Sequence, residues 1–378
     1  MYDLSLILPT CGDPLVLYIW FQNYKKIQHL IDDIVISVDF NDHVKNGSSE
    51  IDPVKIKHRN EEYNSFIKFH TNLFREYNVK NYIFTYGSQH GINLRHLLLK
   101  FKSELNPNIL IMEEDDYIVN IKSFTDQLKC FMDMEYDIIA PKLSLSVSQS
   151  WDTFFINALK SMYIDIDNYD DKPFSYWPTN FIIKKDHIFS TDLHFESKTY
   201  YKYDKFQINN QTYIIENDFS LDTFRHFTFQ TLTNTHIRKI LLKNSSLRGN
   251  LSEACIVDNI SEYMDYHLSG TSTFFANRFW EDSYNENGPY ALTEYNTRNI
   301  DNISIPLIDY YRTAKILYSI LLQFDNSNFI FYDNYKRNIE IFITSCECRV
   351  MSWIKNMNSD KKYGIYMPFI NTLIPHII

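Results

Sequence analysis

The stretch NILIMEEDDYIV, residues 108 to 119, decides what kind of fold and site this chain can have. Four apolar residues, Ile109 to Met112, have the length and composition of a buried strand, and four carboxylates, Glu113 to Asp116, follow directly. Neighbouring carboxylates repel one another unless water, a proton or a cation compensates them. The stretch therefore predicts either a solvated acidic loop or a cation site at the end of a strand.

Short apolar strands and helices alternate through the first 145 residues. We predict strands at residues 4–8, 34–38, 82–85, 109–112 and 136–143. We predict helices that begin at Pro14, with Asp13 as the cap, and near residues 61, 91 and 123. Apolar strands that alternate with helices are typical of an α/β fold with a parallel sheet covered on both faces.

The regular alternation ends near residue 150. We predict a strand and a turn in FSYWPTNFIIKKDHIF (174–189), a long helix from Ser220 to Lys243, and two helices in the last hundred residues. The apolar tail at 364–378 is expected to dock on the core. We therefore expect one domain at residues 1–245 and a mainly helical C-terminal extension at residues 246–378.

Composition and charge exclude several classes of protein. The net charge of −10 disfavours nonspecific nucleic-acid binding, which depends on clustered Lys and Arg. We find no run of about eighteen uncharged apolar residues and therefore expect no transmembrane segment. Five irregularly spaced cysteines and the lack of a secretory signal predict a cytoplasmic protein with reduced thiols. Richness in Asn, Ile, Lys, Tyr and Phe fits AT-rich coding, as in a virus or a low-GC microbe, and a viral protein would lie in the host cytoplasm.

The glycine-rich phosphate-binding motifs are missing from the sequence. It has eight glycines and no G-x-G, so it has neither a dinucleotide fingerprint nor a Walker or kinase loop. An α/β sheet without these loops needs another way to hold a phosphate, and a divalent cation on the 113–116 carboxylates would supply one. Mg²⁺ and Mn²⁺ prefer oxygen ligands and keep positions open for phosphates.

Four segments together resemble a known family. ILPT (7–10), Asp39 at the end of the second strand, GSQHGINLRHLL (87–98) and ILIMEEDDYIV (109–119) are similar in order and spacing to the nucleotide-sugar domain of family 2 GT-A-fold glycosyltransferases. In that family an apolar strand ends in an Asp-x-Asp (DXD) motif, and EDDY (114–117) also resembles the Glu-Asp-Asp form of N-acetylglucosaminyltransferases. The resemblance covers residues 3–145 well and 170–240 loosely.

The resemblance implies a GT-A (Rossmann-like) fold with a mixed, mostly parallel sheet flanked by helices. It also implies a metal-dependent hexosyl- or N-acetylhexosaminyltransferase. Such an enzyme moves a sugar from a nucleoside diphosphate donor to a hydroxyl of a glycan or protein acceptor, here with inversion expected. Two alternatives stay open: a carboxylate-metal phosphoesterase or nuclease, and a non-catalytic GT-A-like scaffold or sugar-binding protein.

The resemblance further implies a metal site. Asp116 would coordinate Mn²⁺ or Mg²⁺ directly. Glu114 would join it as a ligand or contact the sugar nucleotide, and Asp115 would contact the nucleotide or a metal-bound water. His267 in DYHLSG would complete the metal shell, although a lone histidine is more often structural.

The nucleotide-binding residues implied by the resemblance lie at the ends of the first strands and on the helix after the third. Pro9 and Thr10 would border the nucleoside, Asp39 would hydrogen-bond the base or ribose, and Arg95 would approach the nucleotide. As alternatives, Asp39 is an ordinary loop cap and Arg95 lies on a solvated helix face.

The general base is expected in YIIENDFSLDTFRHF, residues 213–227. An inverting enzyme needs a carboxylate that can take the proton of the acceptor hydroxyl. Glu216 and Asp218 are the candidates, with Asp222 close by. The familiar Glu-Asp pair appears here with Asn217 inserted, which leaves the choice open. In the alternative interpretation, Asp218 or Ser220 caps the predicted 220–243 helix.

Overall fold

The fold is described from a computed structural model of the chain. It describes residues 2–10, 12–40, 53–86, 90–144, 163–166, 174–176, 180–190, 195–196, 198–208, 211–215, 218–221, 226–227, 230–231, 237, 239–243, 246–248, 264–268, 305–324, 329–357 and 367–378.

The described residues form strands β1 (Leu4–Thr10), β2 (Asp33–Phe40), β3 (Asn81–Tyr86), β4 (Asn108–Ile111), β5 (Asp116–Ile118), β6 (Ile138–Ser144), β7 (Tyr163–Ile166), β8 (Phe174–Tyr176), β9 (Phe181–Lys184), β10 (Lys198–Tyr200), β11 (Lys205–Ile208), β12 (Gln211–Ile214), β13 (Phe219–Leu221), β14 (Lys239–Lys243), β15 (Ser246–Arg248) and β16 (Asp265–His267). The helices among them are α1 (Pro14–Tyr24), α2 (Pro53–Glu76), α3 (His90–Lys100), α4 (Ile121–Asp133), α5 (Lys185–Ser190), α6 (Ile305–Leu321), α7 (Tyr332–Met357) and α8 (Met367–Ile377), with a 3₁₀ turn at Gln28–Leu30.

The main sheet has nine strands in the order β3-β2-β1-β4-β9-β6-β14-β7, with β8 added beside β6. The strands β1 to β4 are mutually parallel, and β14 is parallel to both of its neighbours, β6 and β7. Strand β9 runs the other way, antiparallel to β4 and β6. The sheet is therefore mixed and mostly parallel with flanking helices, which confirms the predicted fold class.

The strands bury side chains on both faces, as their continuous apolar sequences predict. Leu6 and Leu8 of β1 belong to one core cluster, together with α1, α2, α4 and the helices after residue 304. Ile7 points to the opposite face, where it joins the apolar side of α3. Residues alternate between the faces of a strand, so a run without polar interruption fits only a sheet covered on both sides.

The predicted start of α1 is confirmed. Asp13 accepts hydrogen bonds from the backbone N–H groups of Leu15 (2.9 Å) and Val16 (3.0 Å), and Pro14 occupies the first helical turn. This cap ends β1 with a sharp change of direction. Burial raises the pKa of Asp13 to about 6.

The predicted single helix from Ser220 to Lys243 is wrong at both ends, which are strands, although residues 226–227 and 230–231 between them are helical. Residues Phe219–Leu221 form β13, which pairs with β10, and Lys239–Lys243 form β14 in the main sheet. Strand β14, with the sequence KILLK, lies between β6 and β7 and pairs with both. A short apolar run of this kind fits either a helix or a buried strand, so its spacing does not reveal the pairing. Asp218 and Ser220 consequently do not cap a helix.

The apolar tail docks on the core, as expected from its sequence. Leu373, Ile374 and Ile377 of α8 are buried in the same cluster as α1. No helix in the described part of the chain combines the length and hydropathy needed to cross a membrane. Helices from the 246–378 segment thus share one core with residues 1–245, and the boundary at residue 245 stays a prediction.

One buried side chain joins three distant segments. Asn23 of α1 donates from Nδ2 to the carbonyl groups of Ile118 (3.0 Å) and Ile377 (2.8 Å), and its Oδ1 accepts from the N–H of Ile118 (2.8 Å). Asn23 thereby satisfies backbone groups of β5 and α8 that water cannot reach.

We predict that Asn23→Ala lowers the free energy of unfolding by about 3 kcal/mol, because the substitution leaves buried backbone groups without partners. Equilibrium unfolding in urea measures the change. Asn72→Ala is the matched control, since Asn72 is an exposed residue within α2. Equal stabilities of the two variants would contradict the bridging role of Asn23.

Candidate metal and nucleotide site

The order of the strands reverses between β1 and β4. From β1 the chain continues to β2 and β3 on one side, and then crosses to place β4 on the other side of β1. In open α/β sheets, ligands bind outside the carboxyl ends of the strands at such a reversal of strand order. The carboxyl ends at this point are Pro9 and Thr10 of β1 and the acidic run after β4.

The strand register aligns the predicted residues along one edge. Thr10 is the partner of Val38, and Asp39 is the partner of Thr85 on β3. On the other side of β1, Ile7 pairs with Ile111, so the carboxylates begin at the level of Pro9 and Thr10. Sheet pairing therefore brings together the residues predicted from the strand ends.

A small second sheet holds the acidic run in place. Strand β5, which starts at Asp116, pairs antiparallel with β16, and His267 is the direct partner of Asp116. The N–H of Leu268 donates to the carbonyl of Asp115 (2.8 Å), and the N–H of Val119 donates to the carbonyl of Met264 (2.9 Å). This ladder fixes the backbone of the acidic residues on a rigid element.

The site joins three carboxylates and one imidazole. Nδ1 of His267 lies 3.0 Å from Oδ1 of Asp116 and 3.6 Å from Oδ1 of Asp115. With Glu113, these residues offer four ligand atoms that all lie within 4.8 Å of one another. This group contains Glu113, whereas the predicted ligand was Glu114; the chain turns at residues 114 and 115, so the two side chains do not follow the alternation of a strand.

The ligand atoms fit a divalent cation. Ligands on opposite sides of a Mg²⁺ ion are about 4 Å apart and those of a Ca²⁺ ion about 5 Å apart, and the cluster spans a similar distance. A set of carboxylates with one imidazole suits Mn²⁺ or Mg²⁺, with the nitrogen favouring Mn²⁺.

Two of the carboxylates are buried, so their charge needs compensation. Asp116 is only 1 % exposed and Asp115 only 7 % exposed. Burial, together with the nearby carboxylates of Asp115, Glu114 and Asp116, raises the pKa of Tyr117 well above its ordinary value, so the Tyr117 phenol stays protonated. Buried carboxylates in such proximity are stable when they share protons or bind a cation.

A polar network lies at the ends of β2 and β3, on the same sheet edge as the acidic cluster. The hydroxyl of Thr85 lies 2.9 Å from Oδ1 of Asp39 and 3.1 Å from Oδ1 of Asn93 on α3. Thr10 Oγ1 accepts from the N–H of Gly12 (2.9 Å). Thr85 and Asn93 were not among the predicted site residues. Both lie where the sequence could have indicated them, Thr85 at the end of a predicted strand and Asn93 at the GINLR helix start.

Arg95 and Asp218 are not part of the acidic cluster, and their contacts are with other residues. Arg95 forms a half-exposed ion pair with Glu196, at 2.9 Å from Nη1 to Oε1. Asp218 is exposed and its Oδ1 accepts from the N–H of Lys202 (2.6 Å). Glu216 and Asp222 lie outside the described residues. The nucleotide role of Arg95 and the choice of base therefore stay predictions.

Comparison with known proteins finds similar solved structures but no family. No family model and no curated protein matches the chain. S. aureus TarS 1–349 in complex with UDP-GlcNAc is 12 % identical with a TM-score of 0.31, covering 91 % of this chain and 72 % of that one. The same fragment with UDP is 13 % identical with a TM-score of 0.30, covering 90 % of both chains. S. aureus TarS is 10 % identical with a TM-score of 0.31, covering 90 % of this chain and 55 % of that one. Since these TM-scores are low, functional assignment depends on site geometry.

We predict that the protein binds Mn²⁺ and that Asp116→Asn abolishes binding, because the buried carboxylate oxygen nearest to His267 becomes an amide. His267→Ala should weaken binding roughly 10- to 100-fold. Isothermal titration with MnCl₂ measures both effects. Asp126→Asn, on the exposed surface of α4, is the control and should bind as the wild type does. Manganese uptake by Asp116→Asn equal to that of the wild type would contradict the site.

Proposed function

We propose that this protein is a metal-dependent glycosyltransferase of GT-A type that uses a nucleoside diphosphate sugar as donor. A single observation carries the proposal: three carboxylates and one imidazole, Glu113, Asp115, Asp116 and His267, converge at the reversal point of a mostly parallel sheet. A donor with a diphosphate needs a cation held at this kind of edge, since the chain has no glycine-rich phosphate loop.

The nucleoside would lie beside the cation, over β1 to β3. Asp39 is buried at this edge and its carboxylate already interacts with Thr85, so a ribose or base group would meet an ordered partner. Thr10 and Pro9 end the neighbouring strand and would border the same pocket. In this arrangement the nucleoside of the donor would lie over β2, and its diphosphate would lie at the end of β4.

Cleavage of the donor leaves negative charge on the diphosphate oxygens. A divalent cation, when bound, stabilises that charge. Asp116, Asp115 and Glu113 would hold the cation, and His267, which pairs with Asp116 across the β5–β16 ladder, would fix its position. Mn²⁺ fits this donor set better than Mg²⁺ because of the imidazole nitrogen.

The acceptor hydroxyl has to lose its proton to a base. We propose that Asp218 or Glu216 takes it, with inversion at the transferred sugar, which requires the base to lie on the far side of the sugar ring. Asp218 is exposed beside the β10–β13 pair and can be reached by a large glycan or protein acceptor.

A carboxylate-metal phosphoesterase or nuclease is the second candidate. Such enzymes commonly hold two cations about 3.5–4 Å apart, which takes more ligands than a single cluster of four. Within the described ranges, the 113–116 and 267 cluster is the one group of three or more potential ligands that could hold a metal. The acidic net charge also disfavours a nucleic-acid substrate. Both observations favour the transferase.

We predict that one nucleoside diphosphate raises the melting temperature only when Mn²⁺ is present, because the cation joins the diphosphate to the carboxylates. The panel comprises UDP, GDP, CDP and ADP, each with MnCl₂ and with EDTA. Asp116→Asn should lose the shift, and Asp126→Asn should keep it. If no nucleotide shifts the wild-type transition, or if the shifts are equal in EDTA, the proposed function is wrong.

We predict that the base variant, Asp218→Asn or Glu216→Gln, lowers kcat roughly 10²- to 10⁴-fold and leaves the affinity for the nucleotide unchanged. Asn at position 218 can still accept from the N–H of Lys202, so the local fold is retained. Asp204→Asn, another exposed carboxylate of this region, is the control. Wild-type kcat in both variants would place the base elsewhere.

A further inference from the structure

One buried amide at the edge of the site has no hydrogen-bond partner among the described residues. Asn180 immediately precedes β9 and is 1 % exposed, and neither Nδ2 nor Oδ1 of its amide has a hydrogen-bond partner in the described part of the chain. Buried amide groups are nearly always hydrogen-bonded in folded proteins, because an unmet donor and acceptor are costly away from water. A ligand that supplies both partners would account for this amide.

The position of Asn180 follows from the reversed direction of β9. Phe181 pairs with Ile111, so Asn180 lies opposite Met112, the residue that immediately precedes the acidic run. Because β9 is antiparallel to β4, its first residues lie at the edge where the parallel strands end. Asn180 therefore shares an edge with the metal ligands and lies on the side of them away from Asp39.

The backbone at Asn180 explains the residue type only in part. Its φ of +51° lies in the left-handed region, which Asn tolerates better than most residues and Gly tolerates best. A purely conformational requirement would be met by Gly, without burying an amide. Asn78 also has a positive φ, of 56°, but it is exposed, so its amide can bind water.

The spacing along the edge fits one donor molecule. Strands lie about 4.8 Å apart, and the order β2-β1-β4-β9 separates Asp39 from Asn180 by three spacings, roughly 14 Å. The metal ligands lie between them, after β4. A nucleoside diphosphate sugar with its nucleoside at Asp39 and its diphosphate at the cation would extend its sugar toward β9.

We propose that the Asn180 amide hydrogen-bonds the transferred sugar and selects the donor by its hydroxyl or acylamino groups. The inference rests on the proposed function and adds the residue that recognises the sugar. An amide is both donor and acceptor, and it can therefore bind vicinal hydroxyls or an acetamido group of a pyranose.

The test compares binding of a nucleoside diphosphate with binding of its sugar conjugates, each with MnCl₂ and the full-length chain. The pairs are UDP against UDP-glucose and UDP-N-acetylglucosamine, and GDP against GDP-mannose. Asn180→Gly keeps the left-handed backbone and deletes the amide. Asn180→Asp keeps the shape and removes the donor. Asn78→Gly controls for the same change at a left-handed position away from the site.

We expect Asn180→Gly and Asn180→Asp to bind the sugar conjugate roughly 3- to 10-fold more weakly than the wild type and to bind the free diphosphate equally well. Asn78→Gly should change neither affinity. Unchanged affinity for the conjugate, or an equal loss for both ligands, would overturn the role of Asn180 and leave the proposed function intact. Failure of the wild type to bind any of these nucleotides would overturn both.

Discussion

The antiparallel pairing of β5 with β16 is the constraint on which the site depends. Without it, the acidic run would be a chain of like charges leaving a buried strand, and repulsion would favour exposure to water. The pairing keeps Asp116 buried and sets His267 across from it, although 151 positions separate the two in sequence. Backbone hydrogen bonds thus hold the carboxylates in a geometry that their charges oppose, and a cation would relieve that opposition.

The main sheet brings the remaining predicted site residues together. Its parallel strands end together, so residues chosen far apart in the chain meet along one edge: Thr10, Asp39 and the carboxylates after β4. Strand β9 enters the same edge from the opposite direction and adds Asn180. In the proposed complex, the nucleoside would lie at the Asp39 end of this row and the sugar at the Asn180 end, with the carboxylates between them. Strand order sets the sequence of these residues along the edge, and the proposed roles of Asp39, the carboxylates and Asn180 give the donor its orientation.

Much of the main sheet and of its edge could be predicted from the sequence. Apolar strands of four to seven residues separated by helices specify a covered parallel sheet, and the residues at strand ends then identify the edge. His267 could be proposed only from resemblance, because nothing near DYHLSG indicates that it pairs with Asp116. The sequence cannot tell whether Glu113 or Glu114 joins the cluster, because the chain turns at residues 114 and 115 and the alternation of a strand no longer applies. The 220–243 helix was wrong because apolar spacing in KILLK is compatible with either a helix or a buried strand, and only its pairing with β6 and β7 decides.

Asn23 links the C-terminal helix α8 to β5, the strand that begins with Asp116. The amide that receives the end of α8 is the same one that holds Ile118, two residues from Asp116. A disturbance of α8 can therefore reach the carboxylates through two hydrogen bonds of a single side chain. The last turn of α8 therefore forms part of the support of the strand that begins with Asp116, in addition to covering the core.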